Sequence, residues 1–244
     1  RRLIMRELLQ RAAERAGFTL GQPQLDALQQ LADGLIALNQ HVNLTAITAS
    51  DEIAIKHLLD SLYCLRVIEQ LPSIQRLADV GSGAGFPGLV IKIARPQLDV
   101  TLIEATSKKA DFIRQMVSEL QLEATTVLAQ RAEESGRQLG MRESFELVTA
   151  RAVARLPILA ELCLPLVSVG GHWLAQKGAD YTDELSDAAH ALDVLGAELS
   201  EVIPYQLPRT ATPRNLLVFR KVRPTPPQYP RRPGMPAKRP LQAG

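Results

Sequence analysis

The glycine-rich segment that follows Asp79 constrains this chain more than any other part of its sequence. Short apolar residues lead into Asp79, and glycines then stand at positions 81, 83, 85 and 88. Glycine adopts positive φ without strain and lets a ligand lie against the backbone. We therefore predict a buried strand, a tight turn and a helix that begins at Phe86. Because the first N–H groups of a helix lack intrahelical partners, they favour a polar or anionic ligand, and the segment predicts a nucleotide-like cofactor.

Strands and helices alternate along the chain from Arg76 onward. The strand candidates are 76–80, 99–104, 124–128, 145–150, 170–176, 197–206 and 215–222. The helix candidates between them are 86–95, 107–120, a short segment near 132–139, 157–163 and 181–195. Such alternation is typical of a mostly parallel sheet covered by helices on both faces. The last two strands are predicted to form a hairpin. We therefore expect an α/β fold with a seven-stranded, mostly parallel sheet that ends in a C-terminal hairpin.

Two further regions flank this alternating part. Residues 1–70 carry apolar side chains at helical spacing, with Gly17 ending a first helix, Pro23 opening a second and a third expected over 51–70. Residues 223–244 are rich in Pro and Arg, and proline favours extended chain. The sequence thus predicts a helical N-terminal extension (1–70), a central α/β domain (71–222) and a basic C-terminal tail (223–244).

The basic residues are distributed unevenly. The net charge is only +2, yet nine Lys or Arg and no Asp or Glu lie between Val202 and Gly244. A smaller basic cluster, Arg1, Arg2, Arg6, Arg11 and Arg15, lies at the N-terminus. Charge asymmetry of this kind indicates a polyanionic partner. The alternative is a solvated tail without a partner.

Composition excludes several other classes of protein. No apolar run approaches the roughly 20 residues that a membrane span needs, and the first residues do not have the pattern of a secretory signal. Cys64 and Cys163 are too few and too far apart for a disulfide framework or a zinc site. We expect both to be small buried side chains. The expectation is a cytoplasmic protein with no metal and no membrane contact.

The position of Asp79 selects among nucleotide-like cofactors. Residues 83–88 match G-x-G-x-x-G, which taken alone is weak evidence for a nicotinamide or flavin dinucleotide. Asp79, two residues before Gly81, would repel a pyrophosphate but suits a ligand amine. The pattern resembles the loop of S-adenosyl-L-methionine-dependent methyltransferases. Glu104, about twenty residues past the glycines, suits both hydroxyls of an adenosine ribose, although as an isolated residue it could instead cap the next helix.

A larger set of motifs makes the resemblance specific. The segments that carry it are Asp79–Gly88, Glu104–Lys109 and Ala150–Ala154, with Asn43–Thr45 and His57–Leu62 upstream. In this order and spacing they resemble the bacterial small-subunit (16S) ribosomal RNA guanine-N7 methyltransferases, also called glucose-inhibited division protein B, over about residues 25–222. The resemblance implies a Rossmann-like class I methyltransferase fold, S-adenosyl-L-methionine as cofactor and ribosomal RNA as partner. It covers the Pro/Arg tail less securely, because only some members carry such an extension.

The resemblance also implies a set of cofactor-binding residues. They are Asp79, Gly81, Gly83, Gly85 and Phe86 along the glycine segment, Glu104, Ala105 and Thr106 at the ribose and adenine edge, Ala132 and Glu133 at the adenine, and Arg151 beside the cofactor and the target pocket. Without the resemblance, Glu133 would be interpreted as an exposed helix charge. Arg151 would then be a structural ion-pair partner of Glu146 or Glu161.

Four residues are candidates for positioning the target base: Asn43, His57, Asp60 and Arg151. His57 and Asp60 are three residues apart and so share a helix face. Taken alone, His57 is typical of a satisfied structural histidine, and Asn43 and Thr45 of a turn fixed by side-chain bonds. Guanine N7 carries no proton, so the reaction needs no general base and we nominate none. Phe86 and Tyr63 are candidates for stacking on the base.

Other functions stay open from the sequence alone. The enzyme could act on a different RNA base or atom. The literal G-x-G-x-x-G leaves room for an NAD-dependent oxidoreductase. A non-catalytic RNA-binding protein could keep the same fold. We expect phosphate contacts from the basic N-terminal helix and C-terminal tail, and a monomer.

Overall fold

A seven-stranded sheet organises the computed structural model, which describes residues 2–40, 45–71 and 73–241. The strands are β1 (Arg76–Val80), β2 (Asp99–Ile103), β3 (Thr125–Leu128), β4 (Phe145–Arg151), β5 (Val167–Lys177), β6 (Ala197–Tyr205) and β7 (Arg214–Lys221). They lie in the order β3-β2-β1-β4-β5-β7-β6. The first five strands pair in parallel, and β7 lies antiparallel between β5 and β6. The predicted seven-stranded, mostly parallel sheet with a C-terminal hairpin is confirmed.

Eleven α-helical segments and one π-helical segment are found among the described residues. They are α1 (Arg2–Arg15), α2 (Gln22–Asn39), α3 (Ser50–Ile53), the π-helix (Ala54–Leu59), α4 (Asp60–Leu62), α5 (Leu65–Gln70), α6 (Gly88–Ala94), α7 (Ser107–Glu119), α8 (Ala132–Ser135), α9 (Leu156–Cys163), α10 (Thr182–Leu195) and α11 (Met235–Lys238). The helical N-terminal extension is therefore present. No helix in the described part of the chain is long and apolar enough to cross a bilayer.

Two helix predictions were wrong in detail. The helix after the glycines begins at Gly88 rather than Phe86, because the amides of Gly85 and Phe86 both donate to the Ser82 carbonyl and continue the turn. The single helix expected over 51–70 is broken by the π-helix Ala54–Leu59. π-Helical turns inside helices recur at functional sites, and this one carries His57.

The alternation of side chains along the strands divides the core into two layers. Leu147 and Val148 are neighbours on β4, yet Leu147 packs with the N-terminal helices and Val148 with the opposite helices. Successive strand residues point to opposite faces of a sheet, which explains the division. Leu28 and Leu58 belong to the first layer and are fully buried. The N-terminal extension thus covers one face of the sheet and brings the π-helix to its carboxyl edge.

The C-terminal segment 223–241, here called the strap, returns across the opposite face of the sheet. Its Thr225 and Pro236 are buried, and Arg142 donates to the Thr225 and Tyr229 carbonyls, both at 2.7 Å. Residues 224–233 contain neither helix nor strand, as their prolines predict. The two cysteines, Cys64 and Cys163, are free and buried.

Candidate functional site

A cavity of about 390 Å³ opens at the carboxyl edge of β1, β2 and β4. Its lining residues are Thr45, His57, Gly81, Ser82, Gly83, Ala84, Phe86, Glu104, Ala105, Thr106, Lys109, Arg131, Arg151, Ala152 and Val153. In open α/β sheets, ligands bind outside the carboxyl ends of the strands where the strand order reverses. Here the order reverses between β1 and β4, so the cavity lies where a ligand is expected.

The glycine segment forms one wall through left-handed backbone. Gly81, Gly83 and Gly85 have φ of 68°, 60° and 91°. A Cβ on Gly81 would lie 2.5 Å from Val153 Cγ2, and one on Gly85 would lie 2.4 Å from Leu89 Cδ1, whereas Gly83 faces open space. Gly81 and Gly83 line the cavity, and Gly85 is outside its lining. The wall is therefore bare backbone at the two positions that a ligand can approach.

Asp79 lies beneath this wall instead of in it. Its carboxylate is fully buried and accepts bonds from the Gly88 amide and the Thr149 hydroxyl, both at 3.0 Å. Burial raises the pKa of Asp79 to about 6. A Cβ on Gly88 would lie 2.8 Å from Asp79 Oδ2. The structure thus uses Asp79 to hold the start of α6, and does not place it against the cavity where a ligand amine would meet it.

Glu104 lies at the tip of β2 with its carboxylate fixed by backbone amides. Oε2 accepts from the Gly83 amide at 2.8 Å and Oε1 from the Thr106 amide at 2.7 Å. The residue is 7% exposed and lines the cavity. A carboxylate oxygen has about two acceptor sites. Each oxygen of Glu104 therefore keeps acceptor capacity for a ligand hydroxyl while the amides prevent the carboxylate from rotating.

The other predicted cofactor residues lie on both sides of Gly81. Ala105 and Thr106 follow Glu104 and line the main cavity. Ala132 and Glu133 line a second cavity of about 90 Å³. The two cavities share Gly81, Ala105, Arg131 and Val153 in their walls. Glu133 is buried, 5% exposed, so its interpretation as an exposed helix charge is wrong.

Arg151 is held by a buried carboxylate from the N-terminal extension. Its Nη1 donates to Asp60 Oδ2 at 3.0 Å, and Asp60 is fully buried. Asp60 also accepts from Arg214 at 3.2 Å and from the Tyr205 hydroxyl at 2.7 Å. The interpretation of Arg151 as a partner of Glu146 or Glu161 is wrong, because those carboxylates accept from the Arg76 amide and from Arg231. Asp60 is thus a positioning residue behind Arg151 and lies outside the cavity lining.

The same arginine fixes the tautomer of His57. Arg151 Nη2 lies 3.2 Å from His57 Nδ1, and because guanidinium has no acceptor, Nδ1 must accept. Burial and, next, Arg151 and Arg214 lower the pKa of His57 to about 3. The neutral ring therefore carries its proton on Nε2 and donates it to Thr45 Oγ1 at 2.9 Å. Thr45 Oγ1 also accepts from the Ile47 amide at 3.1 Å, which leaves the hydroxyl proton for an acceptor in the cavity.

Phe86 joins the glycine segment to His57 and Arg151. Its ring stacks on His57, with centroids 4.8 Å apart and planes 8° from parallel, and Arg151 Cζ lies 5.4 Å from the ring centroid. Phe86 is 4% exposed. The prediction that Tyr63 stacks on the base is wrong, because Tyr63 lies outside the cavity lining and its ring packs on Tyr205 with centroids 4.1 Å apart.

Several residues of the cavity were not predicted from the sequence, and one predicted residue lies outside the described residues. Lys109 and Arg131 line the cavity, although the sequence did not predict them there. The only signals are that Lys109 ends one segment of the resemblance and that Arg131 precedes the predicted cofactor residues Ala132 and Glu133. Ala152 has φ +54° beside Arg151, and no sequence pattern marks an alanine for left-handed backbone. Asn43 lies outside the described residues. The described residues hold no cluster of three or more metal-ligating side chains.

These features fit S-adenosyl-L-methionine. The bare backbone at Gly83 admits a ligand, and the fixed carboxylate of Glu104 keeps acceptor capacity on both oxygens, which suits the two hydroxyls of a ribose. The second cavity, beyond Gly81 and Ala105, gives room for the flat end of a longer ligand.

Comparison with solved structures supports the fold alone. A variant of MtNAS in complex with S-adenosylmethionine matches with a TM-score of 0.53 at 12% identity, covering 83% of this chain and 73% of that chain. TrmN from Thermus thermophilus matches with a TM-score of 0.52 at 17% identity, covering 66% of this chain and 49% of that chain. The Rossmann-like methyltransferase fold is therefore confirmed.

Sequence relatives are much closer. Ribosomal RNA small subunit methyltransferase G of Pelotomaculum thermopropionicum is 43% identical over 238 residues, 98% of this chain and 99% of the relative. The protein of the same name from Chloroflexus aggregans is 48% identical over 225 residues, 92% of this chain and 93% of the relative. The family model described as "GidB: rRNA small subunit methyltransferase G" matches residues 24–211. With the glycine wall, Glu104 and Arg151 in place, these matches show that the chain belongs to the rRNA small subunit methyltransferase G family.

Proposed function

We propose that this protein transfers a methyl group from S-adenosyl-L-methionine to N7 of a guanine in small-subunit (16S) ribosomal RNA. The observation that carries the proposal is Glu104, whose carboxylate two backbone amides hold at the wall of the cavity. Family membership supports it, since the relatives are named for methylation of this RNA. The reaction would take place in the cytoplasm, where ribosomal RNA is found, with the enzyme as a monomer.

Within this proposal the glycine wall holds the cofactor. Gly81, Gly83 and Phe86 line the methionine and adenosine sides, and Glu104 accepts from the ribose hydroxyls. Ala105 and Thr106 would hold the adenine edge, and Ala132 and Glu133 would contact the adenine. Gly85 and Asp79 act indirectly, because both shape the turn from behind.

The reaction requires the side chains only to position the guanine and the methyl donor. When bound, S-adenosyl-L-methionine supplies an electrophilic methyl group on a positively charged sulfur. Guanine N7 presents an in-plane lone pair, so the protein must hold it in line at near-attack distance. No proton has to be removed. His57 fits this scheme, because both ring nitrogens are engaged and its lowered pKa keeps it neutral, so it acts as a positioning residue.

The base would be held from the side opposite the glycines. Arg151 and the Thr45 hydroxyl proton are donors at the cavity, and guanine O6 is an acceptor beside N7. Lys109 and Arg131 also line the cavity, and such cations suit the RNA backbone. Exposed Arg232, Lys238 and Arg239 on the strap are further candidates for phosphate contact. In the N-terminal helix, Arg6 and Arg11 already pair with Asp26 and Glu7.

The test is transfer of a tritiated methyl group to small-subunit RNA, followed by mapping of the labelled nucleotide. We expect label on N7 of one guanine with the wild-type protein. Glu104→Gln should weaken transfer, because the amide nitrogen that replaces one carboxylate oxygen can accept neither from a backbone amide nor from a ribose hydroxyl. Glu119→Gln, a change at an exposed glutamate on α7, should leave transfer unchanged. Label on a different atom would favour a methyltransferase of different target specificity.

Two further outcomes bear on an oxidoreductase and on a non-catalytic RNA-binding protein. Thermal stabilisation by NADH and none by S-adenosylhomocysteine would favour an oxidoreductase, since a ligand stabilises only the protein that binds it. Cofactor binding without transfer to any RNA would favour a non-catalytic RNA-binding protein.

A further inference from the structure

The strap is anchored by a buried ion pair at its centre. Glu161 on α9 is fully buried, and Arg231 surrounds it with three donors. The Arg231 amide donates to Oε1 at 2.7 Å, Nε donates to Oε1 at 2.9 Å and Nη2 donates to Oε2 at 2.6 Å. A bidentate arginine–carboxylate pair of this kind fixes geometry as well as charge. The conformation of the strap around residue 231 is therefore set by the fold.

A second set of contacts ties the strap to the loop and helix that follow β3. Arg137 Nε donates to the Pro230 carbonyl at 2.7 Å and its Nη2 to the Gln228 carbonyl at 3.2 Å. A Cβ on Gly136 would lie 3.0 Å from Pro230 Cγ. The residues that follow α8, Gly136 and Arg137, are thus in direct contact with the strap.

A third contact joins the strap to Glu133 at the second cavity. Three residues after Arg231, the strap turns through Gly234 at φ +82°, and the Gly234 amide donates to Glu133 Oε1 at 2.9 Å. Glu133 is 5% exposed and lines the second cavity with Gly81 and Ala105. One oxygen of this carboxylate is therefore oriented by a residue about a hundred positions away in the sequence.

We propose that the strap is a positioning element for the cofactor: Arg231, through Glu161, holds the turn at Gly234 that orients Glu133 at the adenine end. The proposal rests on the proposed function, which places the adenine beside Ala132 and Glu133. It replaces the expectation that the whole basic tail serves RNA phosphates, because Arg231 is already engaged with a protein carboxylate. Arg232, next to it, is exposed and provides the contrast.

The test compares Arg231→Gln with the matched variant Arg232→Gln. We expect Arg231→Gln to raise the dissociation constant of S-adenosylhomocysteine, measured by calorimetry without RNA, by about tenfold, the loss of roughly one charge-assisted hydrogen bond. The KM for S-adenosylmethionine should rise with it, while kcat and the KM for RNA stay within about twofold. Arg231→Lys should restore part of the affinity. Arg232→Gln should leave cofactor binding unchanged.

Hydrogen exchange gives a readout that does not depend on the cofactor. In the ligand-free protein, Arg231→Gln should speed exchange in residues 131–137, whereas Arg232→Gln should not. If Arg231→Gln fails to fold, Arg137→Gln removes the second anchor and should change affinity and exchange in the same direction. Unchanged affinity in a folded Arg231→Gln, or an equal rise in RNA KM for both variants, would overturn the proposal in favour of a phosphate-binding tail.

Glu133→Gln separates this failure from failure of the site assignment. A higher dissociation constant in Glu133→Gln without any change in Arg231→Gln would refute the strap's role alone. An unchanged constant in Glu133→Gln would refute the adenine placement, and the strap's role with it. Neither outcome depends on whether RNA is methylated, so the methyl-transfer experiment is judged independently.

Discussion

The two sides of the cavity are built in opposite ways. The glycine wall, residues 81–88 with 104–106, is held mainly by short connections: Gly83 to Glu104 across 21 residues, and Gly88 to Asp79 beneath the wall across nine. The arginine wall, formed by Thr45, His57 and Arg151 with Asp60 behind them, is held by long ones. Asp60 bonds to Arg151 across 91 residues and to Arg214 across 154. One wall is a property of a βαβ unit, and the other exists only once the whole chain has folded.

The difference also concerns charge. Along the glycine wall, the carboxylates of Glu104 and Asp79 accept from neutral groups, which are backbone amides and, for Asp79, also the Thr149 hydroxyl. In the arginine wall, one fully buried carboxylate is shared by two guanidinium groups and a phenol. Removing one member of a buried charged set leaves the others without compensation. We therefore expect the arginine wall to be the more fragile of the two.

The largest expected loss of stability follows from substitution of Asp60. Asp60→Ala should lower the free energy of unfolding by about 3 kcal/mol, because Arg151 and Arg214 lose their buried counterion. The control is Asp187→Ala, which breaks the exposed pair with Arg155 and should cost about 0.5 kcal/mol. Urea denaturation measures both. Equal losses in the two variants would show that the arginine wall is no more fragile than an exposed surface pair.

A second prediction compares the two walls by how the stability contributed by Asp79 and by His57 depends on pH. Burial raises the pKa of Asp79 from its ordinary value of 3.8 to about 6, so the folded protein holds this proton longer than the unfolded chain does. Stability from this group therefore falls as pH rises through that window. His57 behaves in the opposite sense. Its pKa falls from 6.5 to about 3, so the unfolded chain takes up the proton first and stability from this group rises with pH.

Single substitutions should expose the two opposing slopes. Between about pH 4.5 and about pH 6, the free energy of unfolding of Asp79→Asn should rise relative to that of the wild type, and that of His57→Gln should fall, each by roughly 1 to 2 kcal/mol. Chemical denaturation at a series of pH values, always as a difference from wild type, removes the contribution of other groups. Slopes of the same sign in both variants would contradict the opposite titrations of the walls.

The smallest expected change in stability concerns Ala152, the residue that follows Arg151 at the end of β4. Ala152 has φ +54°, a conformation that is costly for L-residues and more so for β-branched ones. Ala152→Val should lower stability by about 1 kcal/mol, while Ala152→Gly should change it by less than about 0.5 kcal/mol, because relief of strain offsets the entropy of glycine. Thermal unfolding without cofactor measures this. A neutral valine variant would mean that the backbone at Ala152 is not constrained.

The glycine wall was largely predictable from sequence, because its determinants are local. The alternation of strand and helix candidates located all seven strands, and the glycines and Glu104 marked the loop and its carboxylate. Even here Asp79 was expected near a ligand, since a pattern does not tell which side of a turn a carboxylate occupies. The side of the turn on which the Asp79 carboxylate lies is determined by its hydrogen bonds with Thr149 and the Gly88 amide.

The arginine wall and the strap were predictable only in part. The resemblance named His57, Asp60 and Arg151, but the partner of Arg151 was misassigned, because an ion pair across 91 residues depends on tertiary structure. The π-helix that carries His57 contains no proline or glycine from which it could have been predicted. Arg231 looked like one more basic residue of a tail, since its carboxylate partner is 70 positions away.

The contact between Asp79 and Gly88 has a consequence for how this sequence can vary. Any side chain at position 88 would lie 2.8 Å from the Asp79 carboxylate, and the amide that this carboxylate accepts belongs to the same residue. A change at position 88 alone therefore meets a steric barrier, and a change at position 79 alone leaves the Gly88 amide without its acceptor. A shorter residue at 79 would not admit a larger one at 88, because a Cβ there would also lie 2.8 Å from Leu102 Cδ2 and 2.9 Å from Asp79 Cβ.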